Sequence, residues 1–114
     1  MPCAIMEDEL REKYLTDKFD IFKEACEAGD PVGCYSLGEW YAVVGGDVLR
    51  GASIFEKNCS TKGHGNSCYA LGIMKLRGRL GARDRASALR HFTRGCMNKH
   101  GPSCEAAGSM HAVG

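Results

Sequence analysis

Apolar residues recur along this chain at steps of three and four, the spacing of one face of a helix. Over residues 8–26, Leu10, Tyr14, Ile21 and Phe22 offer a first stripe. Over 32–44, Cys34, Leu37, Tyr41 and Val44 form a second, which Gly45-Gly46 ends. Asp47 then reads as an N-cap for a helix through Ala52, Phe55 and Cys59. A further helix opens with Cys68, Leu71 and Met74 and ends near Arg77-Gly78. Asp84 caps a helix through Ala88, Phe92 and Cys96. The last begins near Cys104 and carries Ala107, Gly108 and His111. No segment alternates as a half-buried strand does, so the expected class is all-α, with about six helices.

The pattern repeats. Six of the seven cysteines form close pairs, Cys26/Cys34, Cys59/Cys68 and Cys96/Cys104, with gaps of 8, 9 and 8 positions. The second members recur after 34 and then 36 positions. Gly38, Gly72 and Gly108 each follow a second cysteine by four positions, and Phe22, Phe55 and Phe92 each precede a first cysteine by four. Tyr35 and Tyr69 directly follow Cys34 and Cys68. Asp47 and Asp84 lie eight positions before Phe55 and Phe92. Such a period marks a short solenoid of antiparallel helical hairpins. Glycine inside a helix costs about 1 kcal/mol against alanine. Its recurrence implies that a neighbouring helix approaches closely at 38, 72 and 108, with the phenylalanine filling the core beside it.

Linkers 27–33, 60–67 and 97–103 are rich in Gly, Pro, Asn and Ser and read as turns. Each cysteine pair brackets one turn, in the last and first turns of antiparallel helices. That placement suits bridges Cys26–Cys34, Cys59–Cys68 and Cys96–Cys104. The expected organisation is an acidic, partly helical segment 1–19 followed by a repeat domain 20–114. The latter holds a leading helix, two full hairpins and a trailing half-repeat.

Charge changes the picture more than composition does. The net charge of +1 conceals a balance of −5 over residues 1–31 and +6 over 32–114. Lys75, Arg77, Arg79, Arg83, Arg85, Arg90 and Arg94 face a single acid, Asp84, within 75–94. The stretch is either a solvated helix face or a docking surface for an acidic protein or anionic lipid. No aromatic stacking motif accompanies it, which argues against nucleic acid. The small, mildly apolar final helix, with Met110 and Val113, is a second candidate surface or a frayed end.

The first ten residues show neither an apolar signal core nor an arginine-rich transit pattern, and three of them are acidic. Disulfides nevertheless require an oxidising compartment. Either a signal has been removed before Met1, or the compartment is one such as the mitochondrial intermembrane space.

Leu37-Gly38, Tyr41, Gly45-Gly46, Asp47 and Ala52 in one unit, and Leu71-Gly72, Gly78, Asp84 and Ala88 in the next, resemble Sel1-like repeats. Lys75 stands where the second unit would carry the tyrosine. The cysteine-stapled subtype includes the bacterial Hcp family and a mitochondrial group associated with assembly of cytochrome c oxidase. Asp30-Pro31-Val32-Gly33-Cys34-Tyr35-Ser36-Leu37 and Asn66-Ser67-Cys68-Tyr69-Ala70-Leu71-Gly72 resemble the mitochondrial group more. That resemblance implies an intermembrane-space scaffold that binds a respiratory-complex subunit, as assembly factor or accessory subunit. The alternative it implies is an exported Hcp-type protein with a ligand-binding or weak hydrolase role.

The residues give little support to chemistry. Zinc sites favour cysteines two to four residues apart, about half the spacing here. Cys3 is unpaired by the repeat pattern and reads as a free thiol in the terminus or an interchain partner. No Cys-x-x-Cys-His motif exists for covalent haem, and His64, His91, His100 and His111 are scattered. No serine begins Ser-x-x-Lys: Ser53 leads to Glu56 and Ser60 to Gly63. The expectation is therefore a non-catalytic protein without cofactor or metal.

Overall fold

A computed structural model describes the backbone of residues 2–113 and the side chains of residues 7–111. The side chains of Cys3 and Val113 lie outside the described residues. Six α-helices follow one another: α1 (Pro2–Glu27), α2 (Pro31–Glu39), α3 (Val48–Lys62), α4 (Gly65–Leu76), α5 (Arg85–Met97) and α6 (Gly101–Val113). A π-helical turn, Trp40–Val44, prolongs α2. No strand occurs among the described residues. Each helix packs chiefly on its neighbours in sequence, giving a body of 56 × 31 × 22 Å. None of the described helices is long and apolar enough to cross a membrane.

The helices reach further into the linkers than expected. Only residues 28–30, 63–64 and 98–100 separate the paired helices. Local chemistry explains this. The Asp30 carboxylate accepts from the Val32 N–H at 3.0 Å, and Pro31 takes the first helical position, where its missing N–H costs nothing. Small and polar linker residues thus occupy first turns and caps, positions that suit them better than helix interiors. Asp47 accepts from the Arg50 N–H at 3.1 Å and Asp84 from the Ser87 N–H at 2.9 Å, as their spacing implied. Gly63 closes α3 in the left-handed region, at φ 63°. Lys99 occupies the same region at φ 65°, in the turn position held by Gly29 at the first junction.

The apolar face of α1 is rotated from the one expected. Leu10, Tyr14 and Ile21 are exposed, while Leu15, Phe19 and Phe22 are half-buried. Phe19 lies 4.6 Å from the Trp40 ring and 5.6 Å from Tyr41, centroid to centroid. The Trp40 indole N–H donates to the Leu15 carbonyl at 3.1 Å. α1 therefore continues unbroken past residue 19 and anchors the acidic segment to the end of α2.

Two contacts set the spacing within the full hairpins. A Cβ on Gly38 would lie 2.5 Å from the Phe55 ring, and one on Gly72 would overlap the Phe92 ring in the same way. Both rings are almost fully buried, at 3% and 0% exposure. Burying a phenylalanine stabilises the fold by roughly 1.5–3 kcal/mol. One turn earlier on each second helix sits a small residue, Gly51 or Ala88. At Gly51 the helices approach so closely that a Cβ would stand 2.6 Å from the Gly38 carbonyl oxygen. Tyr35 and Tyr69 flank the two rings at 5.5 and 5.6 Å.

The expectation for Gly108 does not hold. Gly108 is exposed, and a Cβ there would meet nothing within 4 Å. No described helix lies beyond α6 to bring a phenylalanine against it. At the other end Phe22 is only half-buried, with Lys18 in the position of Gly51 and Ala88.

Gly108→Ala is expected to stabilise the protein by about 0.5–1 kcal/mol, through helix propensity alone. Gly38→Ala and Gly72→Ala are expected to destabilise it by about 1–3 kcal/mol, because the ring must move. Urea unfolding of the three variants measures both signs. Cys59→Ser with Cys68→Ser is expected to cost about 2–5 kcal/mol, lowering the denaturant midpoint under oxidising conditions.

Candidate functional site

The three cysteine pairs are joined in the structure, with Cα separations of 4.3, 4.9 and 4.4 Å for Cys26–Cys34, Cys59–Cys68 and Cys96–Cys104. The middle pair is buried. The residues just before each pair also face one another. Ala25 meets Gly33, whose Cβ would come within 2.5 Å of the alanine methyl. Gly95 meets Ser103, whose Oγ fills the space a glycine Cβ would need. Asn58 meets Ser67 and donates to its Oγ at 2.8 Å and to the Pro31 carbonyl at 2.9 Å. At two junctions, a glycine makes room for its partner.

A polar cluster accompanies the second and third junctions, and the sequence reading missed it. His64 Nδ1 lies 3.0 Å from Ser67 Oγ, and His100 Nδ1 lies 2.8 Å from Ser103 Oγ. His100 Nε2 lies 2.7 Å from Asn66 Oδ1, so the ring donates from Nε2 and accepts the Ser103 hydroxyl proton at Nδ1. His64 rests on Tyr35 and His100 on Tyr69, with centroids 5.6 and 5.8 Å apart. The signal was present as His64-Gly65-Asn66-Ser67-Cys68 and His100-Gly101-Pro102-Ser103-Cys104, a shared His-Gly-x-Ser-Cys. Although histidine beside serine is the arrangement of an activated nucleophile, Ser67 and Ser103 are both 0% exposed. No substrate atom can approach them, and the pairs serve as helix-start locks. Among the described residues, no three His, Cys, Asp or Glu side chains gather to hold a metal.

The seven cations of 75–94 are distributed over several grooves and the α4–α5 loop. Lys75 is half-buried on α4 and borders a groove of about 280 Å³ with Glu56 and Asp84. Arg77, Arg79 and Arg83 are exposed on the α4–α5 loop. Arg79 also edges a second groove, beside Tyr35 and Tyr69. Arg85 borders a third with Leu89, Met110 and His111. Arg90 and Arg94 line a fourth, of about 630 Å³, with Glu56, His91 and Met97. Arg94 is committed to internal contacts. Its Nε donates to the Cys59 carbonyl at 2.9 Å and its Nη2 to the Ser60 carbonyl. It thus satisfies carbonyls in the last turn of α3, where a cation is also electrostatically favoured. Met110 is partly buried against the Phe92 cluster.

Three ionisable groups are shifted. Burial, reinforced by the Glu39 carboxylate, holds the Tyr35 hydroxyl above the ordinary tyrosine range. Burial and the nearby His100 push His64 below the usual histidine value, with Asp30 opposing. Burial and Lys75 lower His91, with Glu56 opposing. The folded state resists protonation at both histidines, whereas the unfolded chain accepts protons near pH ~6.5. Stability is therefore complete above that pH and declines as the pH falls through the lowered folded values. The urea midpoint is expected to drop between about pH 7.5 and pH 5.5, and His64→Gln with His91→Gln should remove part of that drop. An unchanged slope in the double variant would contradict the assignment.

No family model matches the chain. It is similar to curated proteins named cytochrome c oxidase assembly factor 7. The mouse protein is 33% identical over 86 residues, which is 75% of this chain and 36% of the relative. The human protein is 30% identical over the same share of each. The zebrafish protein is 28% identical over 111 residues, 95% of this chain and 47% of the relative. The chain thus spans between a third and a half of the length of the curated relatives it matches, and over that span it is similar to proteins named for the assembly of cytochrome c oxidase.

Proposed function

We propose that this chain is a non-catalytic protein-interaction scaffold that assists assembly of cytochrome c oxidase, built from Sel1-like repeats and working in the mitochondrial intermembrane space. The similarity to the three vertebrate assembly factors carries the reading, and it favours an assembly role over a permanent subunit. The compartment rests on the three bridges, which persist in an oxidising space. The scaffold role rests on two features. The serine of each His–Ser pair is fully buried. Rigid helices with several open grooves suit protein recognition better than turnover.

Depletion in cells is expected to reduce assembled cytochrome c oxidase on native gels, with the other respiratory complexes retained. Protease protection in mitochondria with ruptured outer membranes tests the compartment. A protein that remains shielded there, or depletion without an assembly defect, would overturn the respective half of the proposal. For docking, the exposed Arg79, Arg83 and Arg85 are the first candidates. Reversing all three to Glu should lower partner recovery in pull-downs by about tenfold, and raised salt should weaken the native association. Full recovery with all three reversed would exclude these arginines from the interface.

A further inference from the structure

The groove that Arg79 edges lies between α2 and α4. Both helices have packed neighbours before and after them, so the groove does not depend on where the chain begins or ends. Its floor is formed by the buried Phe55 and Met74, and Tyr35 and Tyr69 stand on opposite walls. The next unit shows what this groove lacks. Thirty-four positions on from Glu39 and Ala42 stand Ile73 and Leu76, and both pack on the Phe92 cluster. In the first unit a carboxylate and a single methyl group take those places, and a volume of about 240 Å³ stays open beside the Phe55 ring. Pockets that hold small-molecule ligands are larger, roughly 300–1,000 Å³, so the space suits one side chain. The π-helical turn that prolongs α2 sets Val43 on the rim, at 77% exposure.

We propose that this groove receives one leucine-sized side chain from an acidic segment of a partner protein, with a neighbouring carboxylate on Arg79. The apolar half of the occupant follows from the side chain that is missing, since Leu76 holds the equivalent place in the next unit. Charge decides the other half. Arg79 is exposed at the edge of the groove and shares its loop with the exposed Arg77 and Arg83. Asp84, the acid of that loop, is committed to the Ser87 N–H. Only Glu39 among the groove residues opposes the arginines, so the fitting segment carries net negative charge. A guanidinium offers a carboxylate two parallel hydrogen bonds, which fixes the direction in which the segment lies. The buried aliphatic side chain supplies affinity, and the arginine supplies selectivity.

This inference rests on the interaction-scaffold reading and names the partner's chemistry, but its test needs no assembly assay. The probe is the peptide acetyl-Asp-Glu-Leu-Glu-Asp-amide, titrated into the full oxidised chain. It should shift the NMR resonances of Tyr35, Val43 and Ile73 saturably, with half-saturation at or below about 1 mM. Replacing its leucine by alanine, or its four acids by lysines, should weaken binding by at least about tenfold. In the protein, Ala42→Leu restores the residue type of the next unit, so it should fill the groove and abolish binding while the unfolding midpoint holds. Arg79→Glu changes an exposed side chain, and should weaken the acidic peptide by about tenfold while favouring the lysine peptide. If Ala42→Leu lowers the midpoint, Arg79→Glu and the two control peptides decide the matter. No saturable shift up to about 10 mM peptide, or binding indifferent to the leucine, would overturn the groove while leaving the assembly role standing. A lysine peptide that binds as tightly as the acidic one would overturn the acidic partner. Concentration-dependent dimers abolished by Ala42→Leu would overturn the partner in favour of a second copy.

Discussion

A phenylalanine ring laid on a backbone without a side chain is the contact on which the rest of this structure depends. Phe55 on Gly38 and Phe92 on Gly72 bring paired helices closer than any β-carbon would allow. The glycines cost helix propensity, and burial of the rings offsets that cost. The ring then organises its neighbours. Tyr35 and Tyr69 lie against it, and the histidine at the start of the next junction lies against the tyrosine. One short side-chain column thus connects the inside of a hairpin to the junction that follows.

The junctions solve a different problem. A row of helices with little core per unit gains stability if the unfolded chain is constrained, and a short disulfide loop supplies about 2–3 kcal/mol in the chain-entropy model. The bridges also hold a narrow interface in which each residue before a cysteine faces its opposite number. Ala25 with Gly33 and Gly95 with Ser103 show that one member shrinks where the other needs space. Asn58 with Ser67 solves the same packing with a hydrogen bond, and the described residues leave no buried side-chain polar atom unpaired. A buried hydroxyl left unsatisfied would have erased much of the gain from the bridge.

The two ends of the row differ. At the α1 end, Lys18 lies beside Tyr14, its ammonium 5.4 Å from the ring, in the position where internal helices carry Gly51 or Ala88. At the α6 end, the glycine is retained and uncovered. Surface charge also changes along the row, from the acidic α1 to the arginines of the α4–α5 loop and α5.

The helix class, both aspartate caps and the glycine–phenylalanine period were legible in the residues alone. So were the cysteine partners. These are local signals, set by backbone geometry over a few residues or by repetition along the chain. Other features depended on how the helices cross. The buried face of α1 follows Trp40, whose indole reaches back 25 positions to the Leu15 carbonyl. Arg94 reads as one cation in a basic run, until the packing of α5 on α3 aims it at the carbonyls of Cys59 and Ser60, 35 and 34 positions earlier. His100 and Asn66, 34 apart, meet only because successive junctions lie side by side. Gly108 looked equivalent to Gly38 and Gly72, because a sequence period records the residue and not whether a helix covers it. Tertiary structure alone decides which side of a helix has a neighbour, because that contact is made by residues distant in the chain.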